Sequence, residues 1–226
     1  MIIAERKPFA EIKAMVAPYK KILIVGCGTC VAVCLAGGEK EVGLLASQLK
    51  LALGLEDKHL EIGEITVERQ CDLEFLRPLC DFVTDYEAIV SLACGAGVQF
   101  LKELCYMKPI FPGVNTTFIG VNNDAGYYTE RCRACHHCYL GLTGGVCPVT
   151  MCPKRLLNGP CGGMVGGRCE VDPEKDCAWC QIYHNLEREG RLEILRQILP
   201  MHPHDRTTTP GTVIHPGYKR RYGVHE

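Results

Sequence analysis

Sixteen cysteines in 226 residues carry the chemistry of this sequence, and their spacing sorts most of them into two constellations. The first is Gly26-Cys27-Gly28-Thr29-Cys30-Val31-Ala32-Val33-Cys34, a C-x2-C-x3-C array in a glycine-bearing turn. Three close thiolates and one remote thiolate suit a [4Fe-4S] cube, because each iron takes one sulfur from the protein. Cys27, Cys30, Cys34 and Cys94 are the expected set, and Cys71 is the rival fourth ligand. Cys94 is preferred because Gly95 and Gly97 beside it let backbone approach a cluster closely. Zinc also accepts four thiolates, so spacing alone does not separate the two metals. The weaker readings are a dinucleotide loop, which lacks its third glycine because Val31 stands there, and an enzyme whose cluster, held by Cys27, Cys30 and Cys34 alone, keeps one iron open.

The second constellation begins with Cys132, Cys135 and Cys138, spaced C-x2-C-x2-C, and continues through Cys147-Pro148, Cys152-Pro153, Cys161, Cys169, Cys177 and Cys180. Its opening resembles a bacterial ferredoxin run, but eight residues rather than three precede the first Cys-Pro. Nine cysteines exceed one site. Two tetrahedral sets would use eight: Cys132, Cys135 and Cys138 with Cys147 or Cys180 in one, and the remainder in the other, with zinc open to either. His136 and His137 read as outer hydrogen-bond donors or exposed side chains. Cys132-x-x-Cys135-His136 also matches a haem-attachment motif, but such attachment belongs to exported proteins and Cys138 continues the array. Cys80 and Cys105 fall among Leu and Tyr on helical stretches and read as buried free thiols.

Composition narrows the setting. Lys and Arg number 25 against 26 Asp and Glu, so there is no broad basic surface for nucleic acid. No apolar run reaches the roughly 18 residues of a membrane span, and Met1 to Lys7 leads into charge rather than an apolar signal segment. The expectation is a cytoplasmic protein whose thiols bind metal rather than one another.

The elements that must position these thiols are α/β. Short apolar runs at 21–25 (KILIV), 64–67, 88–92 and 109–112, with a fifth at 117–121, alternate with helical stretches, as in a small parallel sheet flanked by helices. Apolar spacing predicts helices over 8–16, over 38–53 through Val42, Leu45, Leu49 and Leu53, and over 72–83 through Leu73, Leu76, Leu79 and Phe82. In such a sheet ligands gather outside the carboxyl ends of the strands, where the loops bearing Cys27 and Cys94 would lie. After residue 123 Cys, Gly and Pro crowd the chain and apolar runs are few. The division expected is an α/β domain with one iron-sulfur site over 1–123, a Cys-rich metal-stapled module over 124–181, and a helix (182–199) with an extended arm from Pro200 over 182–226.

Cys152-Pro153-Lys154-Arg155-Leu156-Leu157-Asn158-Gly159-Pro160-Cys161-Gly162-Gly163, followed by Gly167-Arg168-Cys169-Glu170-Val171 and Cys177-Ala178-Trp179, resembles the methylenetetrahydrofolate reductase C-terminal family. The amino-terminal C-x2-C-x3-C domain is similar to the rest of the small iron-sulfur subunit found beside the reductase in acetogenic and related anaerobes. The resemblance implies a heteromeric complex. A separate (β/α)8 subunit would bind flavin and folate, and this chain, with its iron-sulfur clusters and associated zinc, would relay electrons between that flavin and an external donor. Amides of Gly26, Gly28 and Gly95 are candidate tuners of cluster potential. The competing expectation is a metal-stapled scaffold that docks and stabilises the catalytic subunit without a redox role.

Overall fold

The computed structural model describes residues 1–201 and 210–223. The chain forms two compact units, Met1–Glu130 and Arg131–Glu226.

The first unit runs β1 (Ile2–Arg6), α1 (Phe9–Val16), β2 (Lys21–Cys27), α2 (Cys30–Val33), α3 (Glu39–Gly54), β3 (Glu61–Val67), α4 (Leu73–Leu76), α5 (Leu79–Phe82), β4 (Ala88–Ser91), α6 (Gly95–Leu104), β5 (Ile110–Pro112), β6 (Val114–Asp124) and β7 (Tyr127–Cys132). After Lys21 the KILIV run is wholly apolar because β2 is covered on both faces. Ile22 and Ile24 enter one core with Ile12, Val16, Leu45 and Leu49, while Leu23 and Val25 enter another with Leu76, Leu79, Ile89 and Leu101. The helices predicted over 8–16 and 38–53 are therefore α1 and α3, packed on the first face. Burying each such side chain contributes roughly 1.5–3 kcal/mol.

The four expected parallel strands form one sheet in the order β3-β2-β4-β5. Val25 lies opposite Ile65 on one side and Ser91 on the other. From β2 the chain moves outward to β3 and then crosses back to β4, which opens a crevice beyond the carboxyl ends of β2 and β4. The expected fifth strand lies within β6, but in a second, antiparallel sheet of order β1-β6-β7. Most of β6 is exposed or half-buried and polar, which suits an open ribbon rather than a place inside a sheet covered on both faces. The helix expected over 72–83 is broken into α4 and α5, because Pro78 has no amide to donate into the preceding turn.

The second unit is sparse in regular structure: α7 (Pro148–Met151), α8 (Ala178–Arg188), and short 3-10 turns at Leu140–Leu142, Leu192–Arg196 and Pro216–Tyr222. Its core cluster consists of Cys177, Trp179, Ile182 and Leu186. The helix expected to reach 199 stops at Arg188. Gly190 takes a left-handed φ of 67°, Gly190 N–H donates to Glu187, and Arg191 N–H donates to Leu186, closing a Schellman motif. Gly166 and Gly167 (φ 58° and 81°) make a two-residue hairpin turn closed by reciprocal Val165 and Arg168 backbone bonds. Asn158 clasps Leu199 from both sides: its Nδ2 donates to the carbonyl at 2.9 Å and its Oδ1 accepts from the amide at 2.7 Å. The arm expected from Pro200 lies, over 202–209, outside the described residues; where the chain is described again it includes the turn Pro216–Tyr222.

Candidate functional site

The crevice at the carboxyl ends of β2 and β4 is where the first unit gathers its thiols. Cys27 is the last residue of β2, Cys30 opens α2, and Cys94 is the N-cap of the ten-residue α6. The loop carrying Cys27 and Cys30 is tied down by Cys27 N–H to Gly37 O at 2.9 Å and Gly28 N–H to Val67 O at 2.8 Å. At Gly37 only a hydrogen fits, since a Cβ would stand 1.9 Å from the Leu92 carbonyl oxygen at the end of β4.

Cys71 lies in the same crevice, and its environment shows what surrounds it. Its thiol is pushed up by burial first, and then by the neighbouring charges of Cys94, Cys27 and Cys30. Cys34 behaves otherwise. Its Sγ lies 3.5 Å from the carbonyl oxygen of Ile2 in β1, and burial leads the upward push on its thiol, with Cys30 the one other cysteine that contributes. Of the four residues expected to act together, the structure thus brings Cys27, Cys30 and Cys94 to one edge, turns Cys34 toward β1, and adds Cys71.

Gln70 had no sequence signal and is central to this edge. It is fully buried, and its Nε2 donates to the carbonyls of Val25 (2.9 Å) and Gly26 (3.0 Å) while its Oε1 accepts from Ser91 Oγ at 2.7 Å. A buried amide costs roughly 2–7 kcal/mol unless its hydrogen bonds are met, and here both ends of the group are met. The amides of Gly28 and Gly95, candidates for tuning a cluster, are engaged elsewhere: Gly28 with Val67, and Gly95 with Thr116 Oγ1 at 2.8 Å. Away from the crevice, the Cys80 and Cys105 sulfurs are 3.8 Å apart, and Cys105 is pushed up to about 12, by burial first and then by Cys80.

Eight of the nine cysteines of the second unit fall into two groups. Cys132, Cys135 and Cys138 share a loop in which Ala134 and His136 adopt left-handed φ of 50° and 64°. There Ala134 N–H donates to Cys132 Sγ at 3.4 Å. Tyr139 packs beside this loop, its hydroxyl pushed up by burial and then by Cys135. Cys152, Cys161, Cys169 and Cys177 line a single cavity of about 20 Å³, room for one water-sized sphere. The ion pair of Lys154 with Glu170 stands at this cavity, and Cys161 is within hydrogen-bond reach of both. Cys177 is the N-cap of α8. Cys180 hydrogen-bonds with Cys177, which links it to this group rather than to the Cys132 loop; Cys147 caps α7. As the side chains stand, no three Cys, His, Asp or Glu among the described residues converge to grip a single metal ion.

Residues 111–205, somewhat under half of the chain, match a family model described as methylene-tetrahydrofolate reductase C terminal. The match takes in all nine cysteines of the second unit and relates that stretch to the methylenetetrahydrofolate reductase family. No curated protein matches the chain. Among solved structures, an extracellular ligand-binding receptor from Verminephrobacter eiseniae ef01-2 is 11% identical with a TM-score of 0.34, covering 46% of this chain and 28% of that one. A likeness so slight carries no argument. Among the described residues no helix is long and apolar enough to cross a membrane.

Proposed function

We propose that this chain is the iron-sulfur, electron-carrying small subunit of a methylenetetrahydrofolate reductase complex. The observation that carries the reading is the gathering of thiols, with no carboxylate or imidazole among them, at the switch point of the parallel sheet, in a chain whose other half is related to that reductase family.

The donor set fits a [4Fe-4S] cluster. A cube takes one thiolate at each of four corners, so its ligands stand farther apart than those around a single ion, and thiols near enough to sense one another's charge without converging meet that requirement. When bound, the cluster supplies one-electron carriage. The protein's own part is to hold the thiols by the Gln70 bracket and the packed glycine loop. Flavin and folate chemistry then belongs to a separate catalytic subunit, with a donor protein feeding electrons to this chain or taking them from it.

A different role suits the second unit. Cys152, Cys161, Cys169 and Cys177 border one small cavity without converging on a point, and such an all-cysteine set would hold a structural zinc ion if its side chains turned inward on binding. This part of the chain is then the scaffold that docks the catalytic subunit, which joins the two competing expectations in one molecule. The Cys132, Cys135 and Cys138 loop, with Cys147, remains the place for a second cluster or ion.

Anaerobic purification with iron, zinc and acid-labile sulfide counting, a redox titration, and copurification with a flavoprotein test the whole reading. Iron and sulfide in equal amounts, a one-electron couple and a flavin-bearing partner are expected. A colourless protein holding zinc alone, with no reducible chromophore, would overturn the electron-carrying role.

A further inference from the structure

We infer that Cys71, rather than Cys34, is the fourth thiolate of the amino-terminal site, and that Gln70 is the residue that positions it there. The inference rests on the iron-sulfur reading above and goes beyond it by fixing which side chains hold the cluster.

Consider first what Gln70 joins. One amide group bonds the last carbonyls of β2, Val25 and Gly26, and the Ser91 hydroxyl at the end of β4. The residues that follow these attachment points bear the other thiols: Cys27 is next to Gly26, and Cys94 lies three residues after Ser91. Ser91 Oγ also accepts from Ala93 N–H at 3.3 Å, which fixes the turn leading to Cys94. Gly97 allows the close approach of that turn, since a Cβ there would lie 2.9 Å from Gln70 Cβ and 2.8 Å from Ala93 Cβ. On the other side, Cys27 Sγ is 3.9 Å from the carbonyl oxygen of Glu68, two residues before Gln70. Cys71 is therefore one peptide away from a fully buried anchor bonded to both thiol-bearing strand ends. Asp72 follows it and caps α4 through Glu74 N–H at 3.1 Å, so the backbone is held on both sides of Cys71.

Cys34 has the opposite setting. It is 8% exposed, its sulfur is directed at the Ile2 carbonyl, and it lines a separate cavity of about 440 Å³ with Ile3, Phe118 and Tyr128. That cavity is walled by the antiparallel ribbon and not by the carboxyl ends of the parallel strands. Cys71, by contrast, is exposed.

The test uses the full chain, purified anaerobically with its partner. Cys34→Ser is expected to keep the wild-type iron and sulfide content and visible absorbance, and Cys71→Ser to lose one cluster's share of both. Retention in Cys71→Ser, or loss in Cys34→Ser, overturns the assignment. Alkylation of the wild-type protein by iodoacetamide, read by mass spectrometry, does not depend on how a variant folds: Cys71 should be protected until iron is chelated, whereas the labelling of Cys34 should not change on chelation. Reactive Cys71 in the iron-loaded protein overturns the proposal. Gln70→Leu is expected to shift the midpoint potential of this cluster and to unmask Cys71; an unchanged potential and protection pattern would leave Gln70 a mere core residue. Wild-type protein without iron or sulfide would defeat the iron-sulfur reading itself, an outcome distinct from a cluster bound by the other thiol.

Discussion

The two units display comparable numbers of thiols on very different supports. In Met1–Glu130 the thiols stand at the edge of a sheet whose two faces are filled by Ile22, Ile24, Leu45, Leu49, Leu79, Ile89 and Leu101, residues that would be buried with or without metal. In the other unit the core cluster has four buried members, and two of them, Cys177 and Trp179, also line the thiol cavity. The difference teaches that the core of the first unit is complete without its edge thiols, whereas the small core of the second is built partly from a cysteine.

Metal removal should separate the two most sharply. Structural zinc contributes roughly 10–16 kcal/mol of apparent binding free energy in small modules, so a strong chelator should unfold residues 131–201 while 1–130 keeps its protected amides. Hydrogen exchange or limited proteolysis reads this out, and Trp179, the single tryptophan, reports on the second unit by fluorescence. Equal loss of protection in both units would break the comparison. Next in size, Leu49→Ala in the first core should cost about 2–5 kcal/mol, measured by denaturant unfolding of the amino-terminal unit, with zinc content unchanged. A smaller effect, about 1–3 kcal/mol, is expected for Gly37→Ala, because the added methyl meets the Leu92 carbonyl. That variant should also lose iron from the first site, whereas Leu49→Ala should keep it. Smallest, Trp179→Phe removes the indole bond to the Leu156 carbonyl (2.9 Å) and should cost about 1 kcal/mol, seen by circular dichroism and confined to the second unit.

Much of the first unit was legible because a doubly covered strand has to be apolar along its length, and KILIV announces that without help. The ribbon was less so. β1 and β7 are short, and β6 carries NTT and NND among its apolar residues, so only its middle read as a strand and nothing in it specified an antiparallel partner. Helix ends were missed at Pro78 and Gly190, where one backbone feature overrides an otherwise continuous apolar spacing. The cysteines stood out in the sequence by type and interval, but spacing is silent on direction. Cys34 and Cys94 look equally suitable in sequence, and only the fold turns one toward Ile2 and sets the other at a helix start. Gln70 was invisible because its partners, Val25, Gly26 and Ser91, are all at least 21 residues away.

The clasp of Asn158 on Leu199 has a consequence for the thiols of the second unit. Cys161, Cys169, Cys177 and Cys180 all lie between those two residues, so the paired amide bonds shut them into one closed length of chain. Closing a long loop is an entropic charge that grows only slowly with length, and once it is met the four sulfurs search a much smaller volume for one another. The polypeptide has thereby begun to draw those thiols together by itself.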